Sequence, residues 1–191
     1  ETVQKRLKVL VYGDSGTGKT HFALTFPKPA VIDTEQGTDL FSGRKDIAPF
    51  HVIRTKDYKE VMAAVDWIEA DGGKTYETLI IDPMTVLYQV LQEAASQSGG
   101  TSRDGGLTYR HWGIIKRMIN ALYTRLVNLP VHVVVTARQK ADYEQKGNEL
   151  LKVGDKPDAD RSTEYLFDIV LRLGVANGKY LAQVVKDRSG A

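Results

Sequence analysis

Residues 13–20 read GDSGTGKT and match the phosphate-binding pattern G-x-x-x-x-G-K-[ST] in full. The apolar run Leu7–Tyr12 precedes them and predicts a strand, and Lys19–Phe26 follows with the composition of a helix. In this context, glycine-rich backbone N–H groups can surround phosphate oxygens. We call this stretch the phosphate loop. Its predicted nucleotide-binding residues are Gly13, Asp14, Ser15, Gly16, Thr17, Gly18, Lys19 and Thr20.

Two side chains of the phosphate loop have predicted chemical roles. Lys19 is expected to reach the β- and γ-phosphates, and the Thr20 hydroxyl is expected to bind Mg²⁺. A carboxylate that completes the magnesium site is predicted at Asp82, the last residue of the apolar run Thr78–Asp82. Pro83 follows it, where many P-loop proteins have Ser or Thr. The sequence therefore predicts a nucleoside triphosphate and Mg²⁺ as ligands.

Strand-like and helix-like segments alternate along the 191 residues, which predicts an α/β fold with a mostly parallel central sheet flanked by helices. Further strands are predicted at Ala30–Asp33, Phe50–Arg54 and Val131–Thr136. Further helices are predicted at Tyr58–Ala70, Val86–Ala95 and Tyr109–Leu129. We expect a single domain covering residues 1–191.

The sequence also predicts two long loops and a pair of strands at the C-terminal end. Ser96–Gly106 and Ala137–Ser162 lack a clear period and are predicted to be loops. Phe167–Val175 and Lys179–Lys186 predict a C-terminal β-hairpin, because Asn-Gly lies between them.

Composition limits the classes of function. The chain is 42% hydrophobic and 26% charged, which is typical of a globular protein. It has no cysteine, which excludes disulfides, thiolate catalysis and cysteine-ligated zinc. A net charge of +2 neither indicates nor excludes nucleic-acid binding. Without a membrane-length apolar run or a signal-peptide pattern, we expect a cytoplasmic location and no membrane partner.

A second acidic strand end predicts the group that activates water. Ala30–Asp33 continues into Thr34 and Glu35. In a parallel sheet, residues just past the carboxyl ends of strands meet at the ligand crevice. Glu35 is therefore the candidate for polarising the water that attacks the γ-phosphate. A solvated strand end would also fit these acids.

Together these segments resemble the RecA-like ATPase core, most closely the small phage RecA-like proteins of single-strand annealing and recombination (phage nucleotide-binding AAA-type proteins). The resemblance rests on Gly13–Thr20, Val31–Glu35, Ile80–Asp82 and Val184–Gly190. It implies ATP as the nucleotide and Glu35 as the catalytic base, acting with Lys19. It also implies that Lys186 and Arg188 reach the γ-phosphate of a neighbouring subunit in a ring or filament.

The same resemblance implies that single-stranded DNA binds to two stretches, Ser96–Arg110 and Ala137–Ser162. The candidate contacts are Arg103, Arg110, Arg138, Lys140, Lys146 and Lys152, with Tyr109 and Tyr143 as candidates for stacking on bases. Acidic residues bring the net charge of the second stretch near zero, so a solvated surface loop fits it as well. Thr136 and Arg138 are both candidates for a polar sensing residue at the end of the fourth core strand.

The implied function is ATP hydrolysis coupled to single-stranded DNA in phage-type recombination or strand annealing, in the cytoplasm of a bacterial host if the protein is phage-encoded. A single-strand-binding protein is a further candidate partner. Two alternatives stay open: a nucleotide or small-molecule kinase with Ala137–Ser162 as its lid, and an ATP-gated assembly protein with little turnover.

Overall fold

The computed structural model describes residues 6–98, 100, 102, 104–147 and 149–190. The strands in these residues are β1 Lys8–Gly13, β2 Pro29–Asp33, β3 His51–Arg54, β4 Thr78–Asp82, β5 His132–Lys146, β6 Glu149–Pro157, β7 Ile169–Ala176 and β8 Lys179–Asp187. The helices are α1 Lys19–Leu24, α2 Tyr58–Asp71, α3 Met84–Gln97, α4 Tyr109–Asn128 and α5 Thr163–Leu166, with a 3₁₀ turn at Gly37–Phe41.

The strands form one sheet with the order β3-β2-β4-β5-β1-β7-β8. All neighbours from β3 to β7 run parallel, whereas β8 is antiparallel to β7. Asn177 and Gly178 have φ of 52° and 73°, the left-handed values that a tight hairpin turn requires. The predicted α/β fold, with a mostly parallel sheet and a C-terminal β-hairpin, is confirmed.

Helices cover both faces of the sheet because its central strands are apolar on both sides. Along β1, Leu10 packs on the side of α2, α3 and α4, whereas Val9 and Val11 pack on the side of α1. This alternation buries every residue of β1, and the phosphate loop begins at Gly13, at the carboxyl end of the strand. None of the helices in the described part of the chain has the length and apolar composition that crossing a membrane requires.

The prediction of a loop over Ala137–Ser162 is wrong. β5 continues beyond the sheet to Lys146, turns, and pairs antiparallel with β6, so that Lys146 lies opposite Glu149. We call this ribbon, residues 139–157, the hairpin arm. Its outer half is exposed on both faces and so lacks the apolar alternation that reveals a strand. The Gly-Asn dipeptide at positions 147–148 was the available signal for a turn.

The ammonium group of Lys8 lies inside this fold and is 5% exposed. Its Nζ donates to the carbonyl oxygens of Leu129 at 2.8 Å and Val131 at 2.6 Å, which connect α4 to β5. Burial lowers the pKa of Lys8 to about 8; the negative charge of Asp168 opposes this shift and the positive charge of Arg6 adds to it.

We predict that the free energy of unfolding of the parent chain rises relative to that of Lys8→Met between about pH 8 and pH 10. In this range the unfolded chain keeps the lysine proton that the folded chain has released, so the slope is positive, up to about 1.4 kcal/mol per pH unit. Urea unfolding of both proteins across the range measures it. A difference that stays flat or falls with pH would contradict the assignment.

Candidate functional site

The phosphate loop connects β1 to α1 through backbone that favours glycine, as the surroundings of Gly13 and the conformation of Gly18 show. A Cβ on Gly13 would lie 2.3 Å from the carbonyl oxygen of Leu173 and 2.9 Å from Oγ1 of Thr17. Gly18 has φ of 86°, in the left-handed region. The Thr17 hydroxyl donates to the carbonyl of Asp14 at 2.8 Å, which closes the loop on itself.

Lys19 lies over the loop that it belongs to. Its Nζ donates to the carbonyl oxygen of Asp14 at 2.6 Å. Burial lowers the pKa of Lys19, the carboxylates of Asp82 and Glu35 oppose the shift, and the guanidinium of Arg138 adds to it. The ammonium therefore faces a cavity in which acidic and basic groups lie close together.

Asp82 ends β4 and is 5% exposed, with two hydroxyl groups donating to its carboxylate. Thr20 donates to Oδ2 at 2.6 Å, and Thr136, from the neighbouring strand β5, donates to Oδ1. Burial raises the pKa of Asp82; the hydroxyl groups lower it in part, and the negative charges of Asp33 and Glu35 raise it further. Within the described residues, no lysine, arginine or histidine forms an ion pair with this carboxylate.

A buried carboxylate next to a threonine hydroxyl, without a cationic side chain to pair with, suits a hard divalent cation that prefers oxygen ligands. The donor set of Thr20 and Asp82 therefore fits Mg²⁺ bound together with phosphate oxygens.

Asp33, the last residue of β2, holds the turn that follows the strand, and it is 1% exposed. Its carboxylate accepts the backbone N–H groups of Glu35, Gly37 and Thr38 at 3.1, 3.2 and 3.0 Å, and also the Thr38 hydroxyl. The Thr34 hydroxyl donates to the carbonyl of Pro83 at 2.8 Å, which joins this turn to β4. Glu35 is held at the cavity with its side chain 43% exposed.

Arg138 lies at the same cavity, 103 residues away in sequence from the glutamate that it contacts. Its guanidinium forms an ion pair with the carboxylate of Glu35. The next residue, Gln139, donates from its side-chain amide to Oδ2 of Asp14 at 2.7 Å. Sequence reasoning missed the role of Gln139, and it missed that Asp33 shapes the turn.

The backbone of Arg138 is fixed on both sides. Its N–H donates to Oγ1 of Thr85 at 2.9 Å, and its carbonyl accepts from the N–H of Asp158 at 2.7 Å. The Thr85 hydroxyl in turn donates to the carbonyl of Asp158 at 2.8 Å. The base of the hairpin arm is therefore bonded to α3, to the phosphate loop and to Glu35.

These groups line a cavity of about 980 Å³, large enough for a nucleotide. Beyond the phosphate loop, its wall on the α1 side includes Phe22 and Phe41, and its wall on the β8 side includes Tyr180 and Leu181. The Tyr180 ring lies 3.7 Å from the point where a Cβ of Gly18 would be.

Lys186 and Arg188 lie far from the phosphate loop of their own chain. In the sheet register Gly13 pairs with Leu173, whereas Lys186 pairs with Val170, three residues or about 10 Å back along β7. The Lys186 ammonium donates to the carbonyls of Glu164 at 2.6 Å, Tyr165 at 3.0 Å and Phe167 at 2.6 Å.

Lys186 therefore stabilises the end of α5, a role that the sequence did not predict. The N–H of Arg188 donates to the carbonyl of Asp168 at 2.9 Å, and its side chain is exposed. Their predicted action on a neighbouring subunit stays a prediction.

The candidate DNA contacts are spread over several places. Arg103 lies outside the described residues, and Arg110 is exposed in the first turn of α4, next to the almost fully exposed Tyr109. The remaining lysines, Lys140, Lys146 and Lys152, lie on the hairpin arm, while Arg138 lies at the cavity. Lys140 forms an ion pair with Asp158 at 2.9 Å, and Lys152 with Asp155 at 3.0 Å.

Because Asp33 holds the turn that carries Glu35, we predict that Asp33→Asn lowers the free energy of unfolding by about 1–3 kcal/mol at pH 7. Burial raises the pKa of Asp33, but the hydrogen bonds from Thr38, Glu35 and Gly37 outweigh it and lower the pKa below its usual value. Stability from this carboxylate is therefore present above about pH 4 and is lost as pH falls through the folded-state pKa.

Urea unfolding of parent and variant at pH 7 and at lower pH measures this difference, which should shrink in acid. The control is Asp39→Asn, because Asp39 is an exposed partner of Arg54 in the same segment and should contribute little. Equal losses from both variants would contradict the role given to Asp33.

Comparison with known proteins identifies the family and the fold of this chain. The family model described as AAA domain matches residues 5–189. Among solved structures, the crystal structure of the RadB recombinase is similar, with a TM-score of 0.58 and 16% identity, covering 96% of this chain and 82% of that chain. Identity this low shows the fold alone, and no curated protein matches the sequence. Since the family model spans nearly all of its length, the chain belongs to the AAA domain family, with a RecA-like P-loop ATPase fold.

Proposed function

We propose that this chain, as one domain over residues 1–191, binds and hydrolyses Mg²⁺-ATP and acts on single-stranded DNA in phage-type recombination or strand annealing in the cytoplasm. The observation that carries the proposal is the convergence of Lys19, Thr20, Asp82 and Glu35 on one cavity, from three separate strand ends. A cation for the phosphates, an oxygen site for Mg²⁺ and a carboxylate for water are the parts that ATP hydrolysis requires.

Each residue has a defined task in this proposal. Lys19, which now donates to the Asp14 carbonyl, would bind phosphate oxygens instead, and Thr20 and Asp82 would hold Mg²⁺, which would neutralise phosphate charge. Glu35 orients the attacking water. Arg138 positions the Glu35 carboxylate and brings a guanidinium to the place where negative charge develops on the phosphate oxygens.

The rest of the cavity suits the nucleobase. With the phosphates bound by Lys19 and the phosphate loop, the remaining space lies between the apolar walls of α1 and β8. Tyr180 presents a flat ring there, and aromatic walls with few polar groups are the usual surface for a base. We assign Tyr180 to the base side of the cavity.

The hairpin arm supports DNA binding because strand pairing sorts its charges. Residues opposite each other in antiparallel strands share a face, so Tyr143 and Lys152 lie together, followed by Gln145 and Leu150. These four residues carry an exposed aromatic ring and a cation but no carboxylate. We call them the Tyr143 face.

The opposite face of the arm carries Glu144 with Leu151 and Lys146 with Glu149. The outer part of this opposite face, with Glu144, Lys146 and Glu149, carries one net negative charge, and we call it the acidic face; Lys152, the cation of the Tyr143 face, forms an ion pair with Asp155. Stacking on an aromatic ring beside a phosphate-binding cation is the usual way to bind single strands without sequence preference.

For hydrolysis, we predict that Glu35→Gln keeps ATP binding but lowers turnover by about 100-fold or more, because it removes the group that activates water. Lys19→Ala should instead weaken ATP binding itself. Steady-state phosphate release and fluorescent-nucleotide titration, each with and without single-stranded DNA, separate the two effects. Glu144→Gln, on the acidic face of the hairpin arm, is the control and should hydrolyse ATP like the parent.

Other results would identify other functions. A parent chain that assembles with ATP and shows no turnover would be an assembly protein. Transfer of phosphate to a small acceptor would identify a kinase. Turnover that is unaffected in Glu35→Gln would remove Glu35 from the mechanism.

For DNA binding, we predict that Tyr143→Ala/Lys152→Ala weakens binding to an oligothymidylate by about 10- to 100-fold, because stacking contributes about 1–3 kcal/mol per base. The matched control is Lys146→Ala/Leu151→Ala, which removes a lysine and an apolar side chain from the opposite face. Fluorescence anisotropy with an ATP analogue measures both. Equal losses of affinity from the two double variants would show that binding does not depend on the Tyr143 face. No loss from either would show that the DNA binds at another part of the protein.

A further inference from the structure

The phosphate loop itself contains an acidic side chain, although its proposed ligand is a polyanion. Asp14, the second residue of the loop, lines the nucleotide cavity together with Lys19. A carboxylate that points toward phosphate oxygens repels them, and this repulsion falls as the distance grows. The side chain of Gln139 holds the carboxylate, since its Nε2 donates to Oδ2 of Asp14 at 2.7 Å.

The amide of Gln139 can bond to Asp14 in only one of its two orientations. A carboxylate accepts hydrogen bonds, so the NH₂ group must face Asp14 and the amide oxygen must point away. A half-turn of the amide would bring two oxygens together, and their repulsion would release the Asp14 side chain. The terminal torsion of a glutamine is broad, so the residue alone does not prevent this half-turn.

Arg172, on β7, fixes the orientation of this amide. Its Nε donates to Oε1 of Gln139 at 3.4 Å, and a guanidinium has only donors, so the amide oxygen must face it. Among the described residues, the side chain of Gln139 has no hydrogen-bond partner besides Arg172 and Asp14. The two ends of one amide are therefore fixed by two residues of opposite charge.

The guanidinium of Arg172 is itself held in place. Its Nη2 bonds to Oδ2 of Asp155, on β6. The Asp155 side chain is 14% exposed, and its other oxygen forms an ion pair with Lys152 at 3.0 Å. The backbone of Arg172 is paired on both sides, with β1 and with β8. Arg172 is therefore a firm support for the Gln139 amide.

We infer that Arg172 is a positioning residue for nucleotide binding, which fixes the Gln139 amide so that the Asp14 carboxylate is held out of the space for the phosphates. This inference rests on the proposed function for the identity of the cavity as the ATP site. Arg172 is not among the residues that line the cavity. It therefore affects how tightly the nucleotide binds and leaves the hydrolysis step unchanged.

Arg172→Lys tests this role. A lysine keeps an ion pair with Asp155 but lacks the fork of nitrogens that contacts two partners at once. We expect the dissociation constant of a fluorescent ATP analogue to rise about 10-fold, because a hydrogen bond to a charged group is affected. KM for ATP should rise in parallel while kcat stays at the parent value. A merely structural role would instead lower kcat together with the urea midpoint.

The matched control is Lys156→Met. The side chain of Lys156 is 36% exposed, as is that of Arg172, and it also forms an ion pair with an aspartate of the hairpin arm. Its partner is Asp142, which has no hydrogen bond to Gln139 among the described residues. This variant should bind the analogue like the parent.

A double-mutant cycle with Asp14→Asn separates positioning from other effects. Asparagine carries no charge and can donate or accept, so the orientation of the Gln139 amide no longer matters. Arg172→Lys should therefore raise the dissociation constant about 10-fold in the parent and by less than about 2-fold in Asp14→Asn. Equal increases in both backgrounds, or no increase in the parent, would overturn the inference.

Binding of the analogue is measured without hydrolysis and without DNA. A parent chain that does not bind the analogue would disprove the proposed function, and this inference with it. A parent chain that binds the analogue and is unaffected by Arg172→Lys would disprove only the role of Arg172.

Discussion

The carboxylate of Asp82 is the point on which the site depends, because three elements meet there through two hydrogen bonds. Thr20 donates to it from α1 and Thr136 from β5, while Asp82 itself ends β4. Both carboxylate oxygens of Asp82 accept a hydrogen bond from a hydroxyl group, but no cationic side chain among the described residues forms an ion pair with this buried acid. The same arrangement that fixes the strand ends relative to one another therefore leaves a site that favours a divalent cation.

An interaction could be predicted from the sequence when the residues that form it lie close together along the chain. The phosphate loop and the strands on either side of it are encoded within a few residues, and Asp82 ends an apolar run that is itself recognisable. The Arg138–Glu35 ion pair joins residues 103 positions apart, and no local pattern indicates it. The hairpin arm was missed because a ribbon exposed on both faces has no apolar period, although its turn carries a recognisable dipeptide.

Lys186 shows how a motif can combine two different tasks. By position it belongs to a Lys-x-Arg pair with an expected role in a neighbouring active site, yet its ammonium satisfies three carbonyls at the end of α5. Helix ends leave carbonyls without partners, and a lysine from the adjacent strand is an effective donor for them. The sequence pattern cannot distinguish a structural lysine from a catalytic one, because either role would give the same basic residue two positions before Arg188.

The base of the hairpin arm is where DNA binding and ATP chemistry would be joined. Arg138 and Gln139 are consecutive in β5, and they contact Glu35 and Asp14 respectively, while the Arg138 backbone is fixed by Thr85 and Asp158. Since both backbone groups of Arg138 are bonded and the side chains of Arg138 and Gln139 contact Glu35 and Asp14, a continuous set of hydrogen bonds joins the base of the hairpin arm to the phosphate loop and to Glu35.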